Sequence, residues 1–222
     1  MSKAKKILVV DVGGTHVKCA IPGEAPREFV SGGSLTPRRM TRQLLEITRD
    51  WRYDAVSIGY PGVVRDGKIV REPFNLGRGW VGFDFRAALK RPVRIVNDAA
   101  MQALGCYEGG KMLFLGLGTG LGSAMIVDGI VLPMELAHLK CGPRKAYEDF
   151  VGERARERVG NRRWRKRVND VVESLQRALL PDYVVLGGGN ARRLKKLPPN
   201  ARRGDNSYAF EGGLRLWEGK AR

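Results

Sequence analysis

Apolar residues along this chain fall in short unbroken runs, each closed by glycine or a polar turn, rather than in long stripes of helical spacing. Residues 7–11, 17–21 and 27–30 read as three strands, followed by a helix over 36–51 and a strand over 55–60. Thr36-Pro37 supplies the helix start, the hydroxyl as cap and the proline in the first turn. Residues 63–70 read as a hairpin through Asp66-Gly67, 84–90 as a short helix, 93–96 as a strand, and 98–108 as a helix. The pattern then restarts with strands over 112–117, 123–127 and 130–132, helices over 146–159 and 164–179, and a strand over 183–186. Two α/β units in the same order predict a two-lobed molecule, with lobes 1–97 and 98–222 around a shared cleft and a hinge near 97–103. Residues 197–206 read as a loop-rich tail.

Composition narrows the class. With 222 residues, 43% of them hydrophobic, the chain can bury a substantial core as one large domain or two small ones. No apolar run approaches the roughly 18 residues of a membrane span. Met1-Ser2-Lys3-Ala4-Lys5-Lys6 passes straight into a strand instead of an apolar leader, so a cytoplasmic protein with no membrane partner is expected. Cys19, Cys106 and Cys141 are scattered and odd in number, which excludes a disulfide framework and reads as reduced, structural thiols. Charge is the outlier: 40 Lys and Arg against 23 Asp and Glu give +17. Residues 153–167 hold eight basic and two acidic side chains, and 192–203 hold six basic and none acidic. A polyanionic partner and a solvated basic surface both fit such clusters.

Candidate chemistry sits at the glycine turns. Asp11-Val12-Gly13-Gly14-Thr15 and Leu117-Gly118-Thr119-Gly120-Leu121-Gly122 each link one strand to the next, so the design strand, glycine turn, strand occurs twice. Glycine lets a backbone approach an anion and aim N–H groups at it, and Thr15 and Thr119 add hydroxyl donors. Plain hairpins would use the same residues for turn geometry alone, but the duplication favours a phosphoryl-transfer cleft. A third apolar strand ends in Gly187-Gly188-Gly189 before a possible helix, which suits a polyphosphate or a tight corner. Gly105 to Lys111 has P-loop spacing, yet Met112 replaces the required hydroxyl and the segment ends a helix, so it reads as a run of terminating glycines.

Phosphoryl transfer needs a carboxylate to accept the acceptor's proton, a metal, and donors that hold the phosphates in line. Asp98, at a strand end where a helix opens, is the candidate base, although Asn97 or Asp98 could equally serve as a helix cap. Asp11 would lie under the phosphates and orient hydrated magnesium. Glu135 and His138, three residues apart, share a face if helical and suit sugar hydroxyls. With Cys141 they lack the fourth ligand of a usual zinc site, so zinc is not expected.

Taken together, Asp11-Val12-Gly13-Gly14-Thr15, Gly59-Tyr60-Pro61-Gly62-Val63-Val64, Asn75-Leu76 with Trp80, Val96-Asn97-Asp98-Ala99, the second glycine turn, Glu135-Leu136-Ala137-His138 and Leu186-Gly187-Gly188-Gly189 resemble, in their shared order, the repressor/ORF/kinase (ROK) family of sugar kinases. The likeness is greatest to its short polyphosphate glucokinases. It implies the duplicated actin-like ATPase fold, which is ribonuclease H-like in each lobe, and a homodimer. It implies Asp98 as the base on the sugar 6-hydroxyl, with Gly62, Asn75, Asn97, Glu135, His138 and Glu148 around the sugar. Asp11, Gly13, Gly14, Thr15, Lys18, Gly118, Thr119, Gly120, Gly187, Gly188 and Gly189 then cradle the donor, with Mg2+ at Asp11. Three departures stand out: the family's zinc-binding cysteine cluster shrinks to Cys141-Gly142, Ala137 precedes the His where glycine is usual, and Ala100 follows Asn-Asp-Ala where Asn or Asp is common. The helical region between Glu148 and Leu180 is short, which favours a donor simpler than a nucleotide. The expected function is therefore a hexose kinase, glucokinase first, using polyphosphate, ATP or both. The alternatives are a non-catalytic sugar-binding regulator of the same fold, or a basic nucleic-acid-binding protein, for which charge is the whole case.

Overall fold

The computed structural model of the chain describes residues 5–142, 145–205 and 207–218. The first half runs β1 (Ile7–Val12), β2 (His16–Ala20), β3 (Arg27–Val30), α1 (Pro37–Ile47), β4 (Ala55–Tyr60), a small hairpin of β5 (Val64–Arg65) and β6 (Lys68–Ile69), α2 (Phe85–Leu89) and β7 (Val93–Asn97). The second half opens with α3 (Asp98–Cys106), β8 (Lys111–Leu117), β9 (Leu121–Val127) and β10 (Ile130–Met134). It continues through β11 (Lys140–Gly142), β12 (Lys145–Ala146), α4 (Glu148–Val151) and α5 (Glu153–Leu179) to β13 (Tyr183–Gly187), β14 (Ala201–Arg203) and α6 (Tyr208–Arg215). Each half builds a five-stranded sheet, in the orders β3-β2-β1-β4-β7 and β10-β9-β8-β13-β14. In both, an antiparallel meander of three strands is extended by two parallel ones. The duplicated two-lobed α/β architecture expected from the sequence is the one the chain forms.

The apolar runs are unbroken because the strands are covered on both faces. In β1, Leu8 and Val10 pack toward Met40 and Leu44 of α1, while Ile7 and Val9 pack toward Met101 of α3 and Ala209 of α6. In β8, Leu113 and Leu115 meet Trp164 and Val168 of α5, while Met112 and Phe114 meet Ala103 of α3. Thr36 caps α1 as expected, its hydroxyl accepting from the Arg39 N–H at 3.3 Å with Pro37 in the first turn.

Helices α3 and α6 touch backbone to backbone. A β-carbon on Gly105 would stand 2.7 Å from the Tyr208 carbonyl carbon, and one on Gly212 would stand 2.8 Å from that of Met101. α6 also lies on the first sheet, where the buried Ser57 hydroxyl donates to the Gly213 carbonyl at 2.6 Å and accepts from the Trp217 indole at 2.9 Å. The boundary at 97/98 thus separates the strands of the two sheets, while a helix from the far end of the chain returns to the first.

Several expected elements take a different form. α6 has no counterpart in the sequence pattern, because Gly212-Gly213 in mid-helix argues against a helix on propensity while the packing requires them. The tail expected over 197–206 contains β14, which pairs in parallel with β13; Asn206 lies outside the described residues. The helix expected over 146–159 divides into β12, α4 and the start of α5. The gap expected between two helices narrows to a break at Gly160, whose φ of 75° no neighbouring residue shares. The element that directly follows Gly187-Gly188-Gly189 is the 3-10 turn Ala191–Arg193 in place of the expected helix. The P-loop-like segment ends α3 and reaches β8 through Gly109 (φ 118°) and Gly110 (φ 63°). No helix among the described residues is long and apolar enough to cross a membrane.

Substituting Gly212→Leu should force α3 and α6 apart and lower unfolding stability by about 2–3 kcal/mol, the usual scale of overpacking. Urea denaturation would measure it, and a midpoint equal to that of the unaltered protein would refute the backbone contact.

Candidate active site

Asp11, next to last in β1, lies in register between Lys18 of β2 and Gly59 of β4. Strand β7 ends at Asn97, in register with Tyr60, and the chain turns at once into α3 with Asp98 in its first turn. Asn97 is the helix cap, its side-chain oxygen accepting from the Ala100 N–H at 3.1 Å. Its amide nitrogen donates to the Gly62 carbonyl at 3.1 Å, which ties the segment after β4 to the helix start. With Asn97 capping, Asp98 is free for other work. One of its oxygens accepts from the Ala99 N–H at 2.7 Å.

The carboxylates of Asp98 and Asp11 lie near enough for the charge of one to act on the other. Removal from water pushes Asp98 up to about 7, and the negative charges of Asp11 and then Glu135 add to the rise against the opposing Ala99 N–H. Asp11 is raised to about 6 by desolvation, with Lys18 pulling the other way. Residues from four separate stretches, 11, 18, 98 and 135, therefore share one field. Gly59 packs against the start of α3, since a β-carbon there would touch the Asp98 Cα at 3.5 Å and collide with the end of the Met101 side chain.

The two glycine turns flank this pair. In the first, the Gly13 N–H closes the hairpin onto the His16 carbonyl at 3.0 Å, which leaves the exposed Gly14 and Thr15 as its open positions. Asn75 lies against Gly14, its Cβ 3.8 Å from where a β-carbon of that glycine would stand. In the second, the Gly118 N–H donates to the Gly120 carbonyl at 3.2 Å, leaving Thr119 exposed. Glu148 at the start of α4 abuts Gly120, and Gly122 would place a β-carbon 3.0 Å from Ala99, next to Asp98. Glu135 and His138 flank the 3-10 turn Leu136–His138, with His138 Nε2 3.8 Å from the Glu135 carboxylate and both side chains about half exposed.

The Gly187-Gly188-Gly189 corner buttresses the second turn. A side chain on Gly187 would meet the Phe114 ring at 2.6 Å, Gly188 has a φ of 79°, and the Asn190 N–H donates to the Leu117 carbonyl at 3.0 Å. Sequence reasoning missed a network that completes this support. Glu153 at the start of α5 bonds Arg156 and the Asn190 amide, and these partners hold its carboxyl down at about 2. Its backbone N–H donates to the carbonyls of Gly118 and Thr119 at 3.1 and 3.2 Å. Nothing in the local pattern marks Asn190 or Glu153, since they meet only through the fold. Part of the basic surplus is likewise internal: Arg165 donates to the Arg193 carbonyl at 2.6 Å, Arg203 to that of Leu194 at 2.6 Å, and Arg167 stacks 5.4 Å from the Phe150 ring. Arg154, Arg162, Arg163, Arg192, Lys195 and Lys196 remain exposed.

Among the described residues no three His, Cys, Asp or Glu side chains group as a metal site; Cys141 is exposed. Asp11 nevertheless offers a carboxylate of the kind that a largely hydrated magnesium ion takes when phosphates supply the remaining ligands.

The ROK family model matches residues 7–133. A polyphosphate glucokinase of Mycobacterium tuberculosis (strain CDC 1551 / Oshkosh) is 29% identical over 218 residues, covering 86% of this chain and 80% of that protein. In fold, the chain matches the crystal structure of an inorganic polyphosphate/ATP-glucomannokinase from Arthrobacter sp. strain KM with a TM-score of 0.82, at 23% identity and over 96% of this chain and 98% of the other. A ROK family glucokinase from Streptomyces griseus, in complex with glucose and AMPPNP, matches with a TM-score of 0.75 at 16% identity, over 95% and 98% of the two chains.

Isotope-edited infrared spectroscopy should find an aspartate carboxyl that titrates near pH 7 and disappears in Asp98→Asn. In Asp11→Asn, which removes the facing charge, the Asp98 midpoint should fall. A midpoint near 4 in the unaltered protein would mean that the two carboxylates do not share a desolvated site.

Proposed function

The chain belongs to the ROK family, and on that premise we propose that it is a hexose kinase, a glucokinase in the first instance, that moves a phosphoryl group from polyphosphate, ATP or both to the sugar 6-hydroxyl. The observation that carries this reading is the pair of desolvated carboxylates, Asp98 and Asp11, set between two glycine turns. The names of the relatives support it.

In this reading Asp98 is the general base. The Ala99 N–H occupies one carboxylate oxygen, so the other takes the proton of the attacking hydroxyl. A proton affinity near neutrality suits that task, because the group is then ionised enough to act and basic enough to accept. Asn97 keeps Asp98 aimed by capping the helix and gripping Gly62. Asn75, Glu135, His138 and Glu148 hold the sugar hydroxyls, with Glu135 close enough to bias Asp98 electrostatically. The donor phosphates rest on the open positions Gly14, Thr15 and Thr119, with Gly120 completing the second turn and Lys18 beside Asp11. Asp11 is the residue that would hold magnesium, and the bound ion would draw charge off the phosphoryl oxygens. The exposed arginines and lysines of 154–163 and 192–196 extend the positive field beyond the turns, which suits a long polyanion.

The test is formation of glucose 6-phosphate from glucose with magnesium and either polyphosphate or ATP. Absence of product with both donors, across hexoses, would sink the reading. Asp98→Asn should cut kcat by about 10²- to 10⁴-fold, the range of a general base, while still binding glucose. Since the base works only when ionised, kcat/KM should rise as pH increases through about 7. The folded chain binds the Asp98 proton more tightly than the unfolded chain does, so charging this group lowers stability as pH rises through that value. The amide variant is therefore expected to melt no lower than the unaltered protein at pH 8, which separates lost chemistry from lost fold.

A further inference from the structure

Phe74 is 89% exposed, more than any other large apolar side chain described. Its exposure does not come from a slack loop. The Glu72 carboxylate accepts the N–H groups of Gly79, Trp80 and Val81 at 3.0, 3.2 and 3.2 Å, which draws the segment 72–81 into a closed bow. The Tyr60 hydroxyl donates to the Arg71 carbonyl at 2.9 Å, and the Gly77 N–H donates to the Leu35 carbonyl at 3.0 Å. Pro73, Leu76 and Trp80 are buried beneath it. The bow therefore presents Phe74 outward from a fixed base.

The ring is presented toward the site. Asn75, the next residue, lies against Gly14 of the first glycine turn. The Phe74 ring itself faces His138, reaching from the first half of the chain to the second with 6.4 Å between ring centroids and a tilt of 55°. That spacing is within the range of an aromatic pair, and the pair consumes one side of the phenyl ring while its 89% exposure leaves the rest open. The residues assigned above to the sugar are otherwise all polar: Asn75, Glu135, His138 and Glu148 suit hydroxyls and offer nothing to the C–H groups of a pyranose.

From this placement we infer that Phe74 is a specificity-determining residue of the acceptor site, an aromatic wall that packs on the C–H face of a hexopyranose while His138 and Asn75 take its hydroxyls. The inference rests on the sugar-kinase reading and adds the ligand feature selected. A pyranose whose hydroxyls are equatorial shows the ring an unbroken patch of axial C–H groups, whereas an axial hydroxyl on that face interrupts the contact and leaves a polar group without a partner.

The experiment is a steady-state comparison of the unaltered kinase with Phe74→Ala, Phe74→Leu and Phe74→Trp, varying sugar and donor separately. Loss of the ring should raise KM for glucose about ten-fold, the effect expected for one aromatic contact, and leave KM for the donor unchanged. Phe74→Trp should restore the sugar KM, and Phe74→Leu should fall between. Because the ring is exposed, the melting temperature of the sugar-free variants should stay within about one degree of the unaltered protein. A sugar KM for Phe74→Ala within two-fold of the unaltered value, or equal rises for sugar and donor, would overturn the assignment. Failure of the underlying reading would show separately, as an unaltered protein that neither binds nor phosphorylates any hexose.

Discussion

The arrangement of this molecule depends on one contact, the backbone-to-backbone packing of α3 on α6 through Gly105 and Gly212. α3 carries Asp98 in its first turn, and α6 is fixed on the first sheet by Gly213 against Val9 and by the Ser57 hydroxyl. Because Val9 and Asp11 belong to the same strand, the seat of α6 on β1 sets the distance between the two carboxylates. The same α3 packs through Ala103 and Ala99 on β8 and β9. One helix thus refers Asp98, the first turn and the second turn to a common frame. Sheets of this size could adopt many mutual orientations; glycine removes the freedom by letting main chains lock where side chains would act as compressible spacers.

Around that frame the electrostatics are arranged in opposite senses. At the centre, Asp98 and Asp11 are partly withdrawn from water and raised toward neutrality, with Lys18 as the balancing cation. At the edge of the second turn, Glu153 is driven down by Arg156 and Asn190, so its charge is firmly held. The central pair is chemically soft and can exchange protons. The peripheral carboxylate is a fixed strut whose charge does not fluctuate over the neutral range, and the backbone N–H of the same residue holds the carbonyls of Gly118 and Thr119 in place.

Much of this was legible from the chain. The unbroken apolar runs identified the doubly covered strands, Thr36-Pro37 marked the start of α1, and the repeated glycine turns announced the duplication. Local chemistry encodes such features within a few residues. α6 was illegible for a physical reason: its glycines are unfavourable for an isolated helix and are required only by the neighbour they meet. β14 is three residues long and exists because β13 offers it an edge. Asp98 and Asn97 were equal candidates for the cap until the geometry gave that task to Asn97. Phe74 looked unremarkable in sequence because exposure is a property of the fold, and Glu72 because its three partners lie seven to nine residues away.

The return of α6 to the first sheet also orders events in time. Leu104 and Arg215, which join α3 to the end of α6 through a hydrogen bond, are 111 positions apart. At a bacterial or eukaryotic translation rate of about 5–20 residues per second, α3 is synthesised roughly 5–20 s before its partner. During that interval the glycine face of α3 lacks the helix it packs on, and Asp98 and Asp11 keep the ordinary acidity of water-exposed carboxyls. The desolvated pair is therefore a late product of synthesis: the nascent chain has both carboxylates long before it has the environment that raises their proton affinity.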